Sequence, residues 1–434
     1  MRVSGSDAFR IADRIFRCRD AKPSERPAGT FVIGHVIDNE ELIDQALLLV
    51  MRAPHSYTME DVVEIQGHGG RQCARRILRT ALDAGARLAE PGEFTQRAFI
   101  NGRIDLVQAE AVADLIHARS ERAAAAAVEQ LQGRLSDQFN ALYDDILRIA
   151  SDIEATLDFP EDELPDAVMP ELIERTRRSL AHMDALIASW DEGHLLRDGA
   201  LVVISGRTNV GKSTLLNALL GSERAIVSST PGTTRDTIEE DLVIGGIPIR
   251  LIDTAGLRET DCEIERIGIA RTRSSMERAD LHIYMIDASQ PLDDHERQTL
   301  ASLPPDRSLI LANKSDLTKG SINLCISTPV IETVMTEKVY AERVKNTIED
   351  ILSRRMDLQA RPHAAISERH RKLLVAAREE LSATLEMLEA DAEDLVALAS
   401  SRMRTALEHL GTVTGRTYQE ELLDNIFSRF CIGK

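Results

Sequence analysis

"GRTNVGKST", Gly206 to Thr214, follows the apolar run "ALVVIS" and opens the helical run "TLLNALL". The pattern is G-x-x-x-x-G-K-[ST] between a strand and a helix, the setting in which such a loop cradles phosphates. Its glycines let backbone N–H groups approach phosphate oxygens, and a helix N-terminus favours an anion. Lys212 is expected to reach the outer phosphates as a catalytic charge, and the Ser213 hydroxyl to bind magnesium. Asn209, Val210, Gly211 and Thr214 complete the expected nucleotide contacts of the loop. Outward from it, apolar strand candidates alternate with helical stretches: "LVVIS", "IPIRLID", "LHIYMID" and "SLILAN". That alternation predicts a parallel sheet with crossover helices.

Three further motifs occupy this α/β region. "DTAG", Asp253-Thr254-Ala255-Gly256, follows "IRLI". An acid there can hold magnesium through water, and the glycine N–H can sense a γ-phosphate. "NKSD", Asn313-Lys314-Ser315-Asp316, follows "LILA". Asp316 can accept two hydrogen bonds from guanine N1 and its 2-amino group, which adenine does not offer, so the site should prefer GTP. "GTTRD" lies between the P-loop and "DTAG", where Thr234 can complete the magnesium shell. The preceding residues Ser228, Ser229, Thr230, Pro231, Gly232 and Thr233 are expected to contact the nucleotide as well. Ser327 in "CISTPV" stands where the fifth motif of such GTP sites is expected. Ras-type enzymes place a glutamine just after DxxG to orient water. Leu257 stands there instead, and leucine cannot polarise water. Glu259, Asp261, Glu263 and Glu265 follow, and nothing in their spacing selects one.

The rest of the chain reads differently. The 434 residues predict roughly three domains. No apolar run approaches the roughly 18 residues that span a bilayer, and "MRVSGSDAFR" lacks a signal-peptide core, so a cytoplasmic protein is expected. Five scattered cysteines form neither CxxC nor a zinc ladder. A formal charge of −19 argues against a surface that binds nucleic acid everywhere, yet leaves room for a local patch such as Arg71, Arg75, Arg76 and Arg79. At helical spacing, such arginines are more often a solvated face.

"TFVIGHVID", "QALLLV" and "VVEIQ" suggest strands, and "RQCARRILRTALDAG" a helix with a glycine stop. Leu131, Leu135, Phe139, Leu142, Ile146, Ile149 and Ile153 fall on one helical stripe. After "ARPHAAIS" the chain is helical again, with Leu374, Leu381, Leu385 and Leu388 on one face. A helical domain interrupted by an inserted α/β domain is the simplest architecture.

"DVVEIQGHGG", "EPGEFTQRAFINGRIDLVQAEAVADLI", "GRTNVGKSTLLNALL", "PGTTRD", "DTAGLRETDCEIERIGI", "NKSD" and the terminal "FCIGK" together resemble the bacterial tRNA-modification GTPase family MnmE, also called TrmE. The resemblance covers almost the whole chain. It implies a multidomain α+β and α/β fold. Residues 1–101 would be an α+β tetrahydrofolate-binding and dimerisation domain, shortened at its start. Residues 102–198 and 357–434 would be the two parts of a discontinuous α-helical domain, and 199–356 an inserted Ras-like P-loop GTPase domain.

The resemblance also implies a function. With a FAD- and NADH-dependent partner of MnmG type, such proteins install aminomethyl or carboxymethylaminomethyl groups on C5 of the wobble uridine, position 34, of certain tRNAs. The implied assembly is a homodimer, forming a heterotetramer with the partner, off the membrane. Asn209 and the carbonyls of Ser228, Thr230 and Thr233 would bind potassium. The aligned general base is Glu265. A 5-formyl- or methylene-tetrahydrofolate would meet Arg2, Glu64, Arg103 and Lys434, with Cys431 near the one-carbon chemistry. "CIGK" formally fits a prenylation box, but lysine is not a usual last residue and no second lipid signal supports it. The rival class is a GTP-dependent switch or assembly factor that binds RNA or ribosome without modification chemistry; "QGHGG" and "FCIGK" discriminate against it.

Overall fold

The computed structural model describes residues 1–158, 168–221, 239–253, 279–318, 327–354, 366–390, 393–428, 430 and 433. In the first part, strands β1 (Arg2–Ser4), β2 (Phe16–Arg17), β3 (Thr30–Asp38), β4 (Glu41–Met51) and β5 (Val62–Gln66) alternate with helix α1 (Ala8–Ile15). Helices α2 (Arg71–Asp83), α3 (Glu93–Ile100), α4 (Leu106–His117), α5 (Glu121–Leu131), α6 (Arg134–Asp158), α7 (Val168–Ala188) and α8 (Trp190–Arg197) follow. Next come β6 (Ala200–Gly206), α9 (Lys212–Leu220), β7 (Glu239–Ile244), β8 (Ile247–Asp253), β9 (Leu281–Asp287), α10 (Asp294–Ser302), β10 (Ser308–Asn313) and β11 (Val330–Thr333). The described helices end with α11 (Lys338–Ser353), α12 (Glu368–Glu389), α13 (Glu393–Thr414) and α14 (Glu420–Phe427).

The chain forms two compact units. The first holds Met1–Ala113, Leu131–Ala150 and Met403–Lys434. Its sheet runs β1-β5-β4-β3-β2, every pairing antiparallel. The alternation that marks a half-buried strand is visible in β3, where Phe31, Ile33 and His35 are exposed and Val36 is buried. The inner face packs Leu48, Val50, Val63 and Ile65 against Phe9, Ile11 and Ile15 of α1 and Ile77 of α2. In α6 the expected stripe is the buried face from Leu135 on: Leu135, Phe139, Leu142, Ile146, Ile149 and Ile153 are each at most 1% exposed, whereas Leu131 ends α5 and is half-buried.

The second unit holds Asp114–Gln130 and Ser151–Arg402. Its six-stranded sheet has the order β11-β10-β9-β6-β8-β7. Every residue of β10 is buried, as is all of β9 but Asp287, which is why they read as continuous apolar runs. The sheet is parallel except at one edge. There β7 pairs antiparallel with β8, because the two-residue turn Gly245-Gly246 leaves no length for a crossover. Leu374, Leu381 and Leu388 of α12 are buried as their spacing predicts, while Leu385 is half-buried.

Candidate functional site

β6 ends at Gly206 and α9 starts at Lys212, so residues 207–211 form the loop between them. Asn209 (φ 63°) and Gly211 (φ 110°) adopt left-handed backbone. At Gly211 a side chain is excluded twice over: a Cβ would lie 2.4 Å from Asn313 Nδ2. That close approach is the centre of the site. Asn313 is the last residue of β10 and is buried. Its Nδ2 donates to the Val210 carbonyl at 2.8 Å. Its Oδ1 accepts from the Met335 N–H at 3.1 Å and from Thr333 Oγ1 at 3.4 Å. The first residue of "NKSD" is thereby fastened to the phosphate-type loop.

Lys212 is only 5% exposed. Its ammonium donates to the Gly206 and Arg207 carbonyls at 2.8 and 2.5 Å. Ser213 and Thr214 are exposed on the first turn of α9. Lys314 takes left-handed backbone (φ 62°) and places Nζ 2.6 Å from Asp287 Oδ2 at the end of β9. Burial pushes the Asp287 carboxyl up, but hydrogen bonds from Lys314 and Ser289 outweigh it and hold it below its ordinary value. Asp316 is exposed in a single 3-10 turn, and Ser327 is exposed. Asp253 closes β8 beside Ile204 in the sheet register. The β6–α9 loop, the end of β8 and the end of β10 therefore belong to the carboxyl edge of the parallel strands, where open α/β sheets bind ligands.

The first unit carries a cavity of about 600 Å³, within the size range of small-molecule sites. Val3, Ile11, Leu78 and Leu82 supply apolar wall, and Arg2 and Glu64 a polar one. Arg2 and Glu64 face each other in the β1–β5 register, with Nε and Oε1 2.6 Å apart. The Arg2 guanidinium also lies 5.2 Å from the ring centres of both Tyr57 and Phe94. Glu93, 8% exposed, lines the cavity too. Hydrogen bonds from Arg87 first, and from Arg97, overcome its burial and hold its carboxyl at about 2. Arg97 reaches on to Glu60 at 2.9 Å, so the buried charge is paired throughout.

Gly433 of the terminal motif lines the same cavity. Phe430 packs on Phe427 with ring centres 5.6 Å apart. Gly92 of "EPGEF" is left-handed (φ 71°), and a Cβ there would lie 2.8 Å from the Phe427 carbonyl and 3.1 Å from Phe430 Cβ. Glycine at 92 thus lets the tail approach. Arg103 is not among the cavity-lining residues; it donates to the Ser56 carbonyl, and its guanidinium lies 5.4 Å from the Tyr57 ring centre.

Several expected site residues lie outside the described residues: Ser228 to Thr234, Thr254, Ala255, Gly256, Leu257, Glu259, Asp261, Glu263, Glu265, Cys431 and Lys434. The same holds for the Asp253 side chain. Other participants were not anticipated from the sequence. Tyr57 and Arg87 lie in no quoted motif, and Glu93, Phe94 and Arg97 fall within "EPGEFTQRAFINGR" without a role assigned to them there. Asp287 and Thr333 at strand ends and Met335 just beyond β11 brace "NKSD", and only the position of Asp287 after an apolar run could have pointed to any of them.

Two family models match the chain: the GTP-binding protein TrmE N-terminus over residues 1–103 and the MnmE helical domain over residues 106–431. A protein described as tRNA modification GTPase MnmE from Moorella thermoacetica is 44% identical over 452 residues, covering 100% of this chain and 96% of the relative. One of the same description from Geobacter sulfurreducens is 42% identical over 439 residues, covering 100% and 95%. Among solved structures, the FeoB G-domain from Methanococcus jannaschii matches 36% of this chain and 98% of its own at 26% identity and a TM-score of 0.27. With identity above two-fifths across its full length and both family models matched, this chain belongs to the MnmE family of tRNA modification GTPases.

Proposed function

We propose that this protein binds and hydrolyses GTP, and that it uses this cycle to modify C5 of the wobble uridine of certain tRNAs together with a flavin-dependent partner. The observation that carries the reading is the Asn313–Val210 hydrogen bond, which joins the phosphate-binding and guanine-reading motifs into one site. Lys212 would shift from the loop carbonyls to the outer phosphates, and Asp316 would read guanine. The exposed Ser213 hydroxyl fits a magnesium ligand, with Thr234 as its partner; that ion would neutralise phosphate charge. Asn209 sits exposed in left-handed backbone at the loop tip, where its amide oxygen could meet potassium with the carbonyls of Ser228, Thr230 and Thr233. Glu265 is assigned to orient the attacking water.

The 600 Å³ cavity fits a tetrahydrofolate derivative. It pairs apolar wall with Arg2 and Glu64, and the tail reaches it through Gly433. Lys434 would contact that ligand and Cys431 would stand near the transferred carbon. Arg103 would act through Tyr57, whose ring it and Arg2 both approach. Homodimerisation is supported by the exposed Phe31 and Ile33, which pair with Leu49 and Leu47 on one sheet face. Residues 1–101, 102–198 with 357–434, and 199–356 remain the assigned domains, and the cytoplasm the assigned compartment. Among the described residues no helix is long and apolar enough to cross a membrane. A switch factor without modification chemistry would have no use for the cavity.

Mass spectrometry of wobble uridines from cells lacking the gene tests the reading. Loss of the C5 group, restored by the wild-type gene and not by a Lys212→Ala copy, is expected. Unchanged wobble uridines would overturn it.

A further inference from the structure

On α2, Arg71, Arg75 and Arg79 recur every four residues and so share one face of the helix. All three are exposed. Among the described residues the side chains of Arg71 and Arg75 make no hydrogen bond or ion pair, and that of Arg79 has only a loose contact to Asp83 at 3.7 Å. Arg76 is different: it leaves the stripe and pairs with Glu41 at 2.7 Å. The stripe is not an isolated surface feature. Leu78 and Leu82, three residues beyond Arg75 and Arg79, line the 600 Å³ cavity. The arginines thus run along the helix edge next to the cavity side, while Ile77 and Thr80 face the core.

In a chain of net charge −19, three neighbouring cations with almost no internal partner are electrostatically unmatched. The partner that complements them is a polyanion with regularly spaced charges. We propose that the Arg71–Arg75–Arg79 stripe docks the phosphate backbone of the tRNA substrate and lays it along the rim of the cavity. The spacing supports RNA over a compact anion. Successive stripe residues are four positions apart on a helix that rises about 1.5 Å per residue, so each step is roughly 6 Å, near the separation of neighbouring phosphates along a strand. Such contacts position a nucleic acid without reading its sequence. This inference rests on the reading that tRNA is the substrate; it does not require that the cavity hold folate.

The test uses the full chain and an unmodified tRNA transcript, with binding followed by fluorescence anisotropy against salt. Each phosphate neutralised contributes a slope of about 0.9 in log affinity against log salt, so three lost contacts change a fourfold salt step by about 40-fold. The Arg71→Ala, Arg75→Ala, Arg79→Ala triple variant should show a salt slope shallower by about 2 to 3 and weaker binding at low salt. The triple lysine variant should keep most of both, since a point charge suffices for phosphate. GTP hydrolysis should stay at the wild-type rate in both. A wild-type slope in a folded alanine variant overturns the proposal, as does absence of tRNA binding by the wild-type chain at low salt. Loss of an acidic protein partner with tRNA binding intact overturns it as well. Titration with 5-formyltetrahydrofolate separates the two readings: if the wild type binds no folate but the tRNA slope still responds to the stripe, the cavity assignment fails and the docking surface stands.

Discussion

Replacing Asn313 by alanine should damage both stability and nucleotide binding. The side chain is buried and ties two segments 103 residues apart. Truncation leaves the Val210 carbonyl and the Met335 N–H, now bonded at 2.8 and 3.1 Å, without that partner. Val210 and Met335 are 2% and 4% exposed, so water does not readily replace it. At about 1–3 kcal/mol for each buried group left unsatisfied, the sum is about 2–6 kcal/mol. The 3.4 Å contact from Thr333 is too long to add much. Urea unfolding followed by fluorescence of Trp190, the single tryptophan, would read the stability share. Binding of a fluorescent GTP analogue would read the rest, at tenfold in affinity per about 1.4 kcal/mol. Thr333→Val removes only the long contact and should cost less than about 1 kcal/mol. If Asn313→Ala unfolds like wild type and binds GTP with unchanged affinity, the bracing role assigned to this residue is wrong.

Potassium should stimulate GTP hydrolysis well beyond sodium at matched ionic strength, and Asn209→Ala should erase the difference while keeping nucleotide affinity; equal rates of the wild type in both salts would refute the cation site. Glu265→Ala should lower kcat by about 10²-fold or more with little change in GTP affinity, because a water-orienting group acts mainly in the transition state; a wild-type rate would transfer the role to Glu259, Asp261 or Glu263. Deleting residues 430–434 should abolish wobble modification and weaken 5-formyltetrahydrofolate binding in calorimetry, while GTP hydrolysis survives; intact folate binding would remove the tail from the site. His194 bonds Asp198 at 3.0 Å and lies 3.5 Å from Asp280, and these contacts, Asp198 first, raise its pKa to about 9. Because the folded value exceeds the usual 6.5, the stabilisation is full below about pH 6.5 and fades as pH rises through about 9; calorimetric Tm values of wild type and His194→Gln should therefore differ at pH 6 and converge near pH 10.

The motifs and the elements that carry them are legible in the order of residues along the chain. A P-loop is a local object, since the left-handed turn at Gly211 and the helix start at Lys212 depend on neighbours in the chain. Continuous apolar runs announced β9 and β10, and a regular stripe announced the buried face of α6. Strand β7 escaped notice because its acidic "EE" start and its place at an edge remove the apolar signature. Which distant groups meet depends on packing across the fold. No local rule brings Asn313 to the Val210 carbonyl, or Arg2 to Glu64 across a sheet register. Nor does any spacing say that Gly92 makes room for Phe430, or that the α2 arginines border the cavity. Helical periodicity assigned those arginines to one face but not to any neighbour, because a repeat fixes direction around its own axis and packing fixes what lies in that direction.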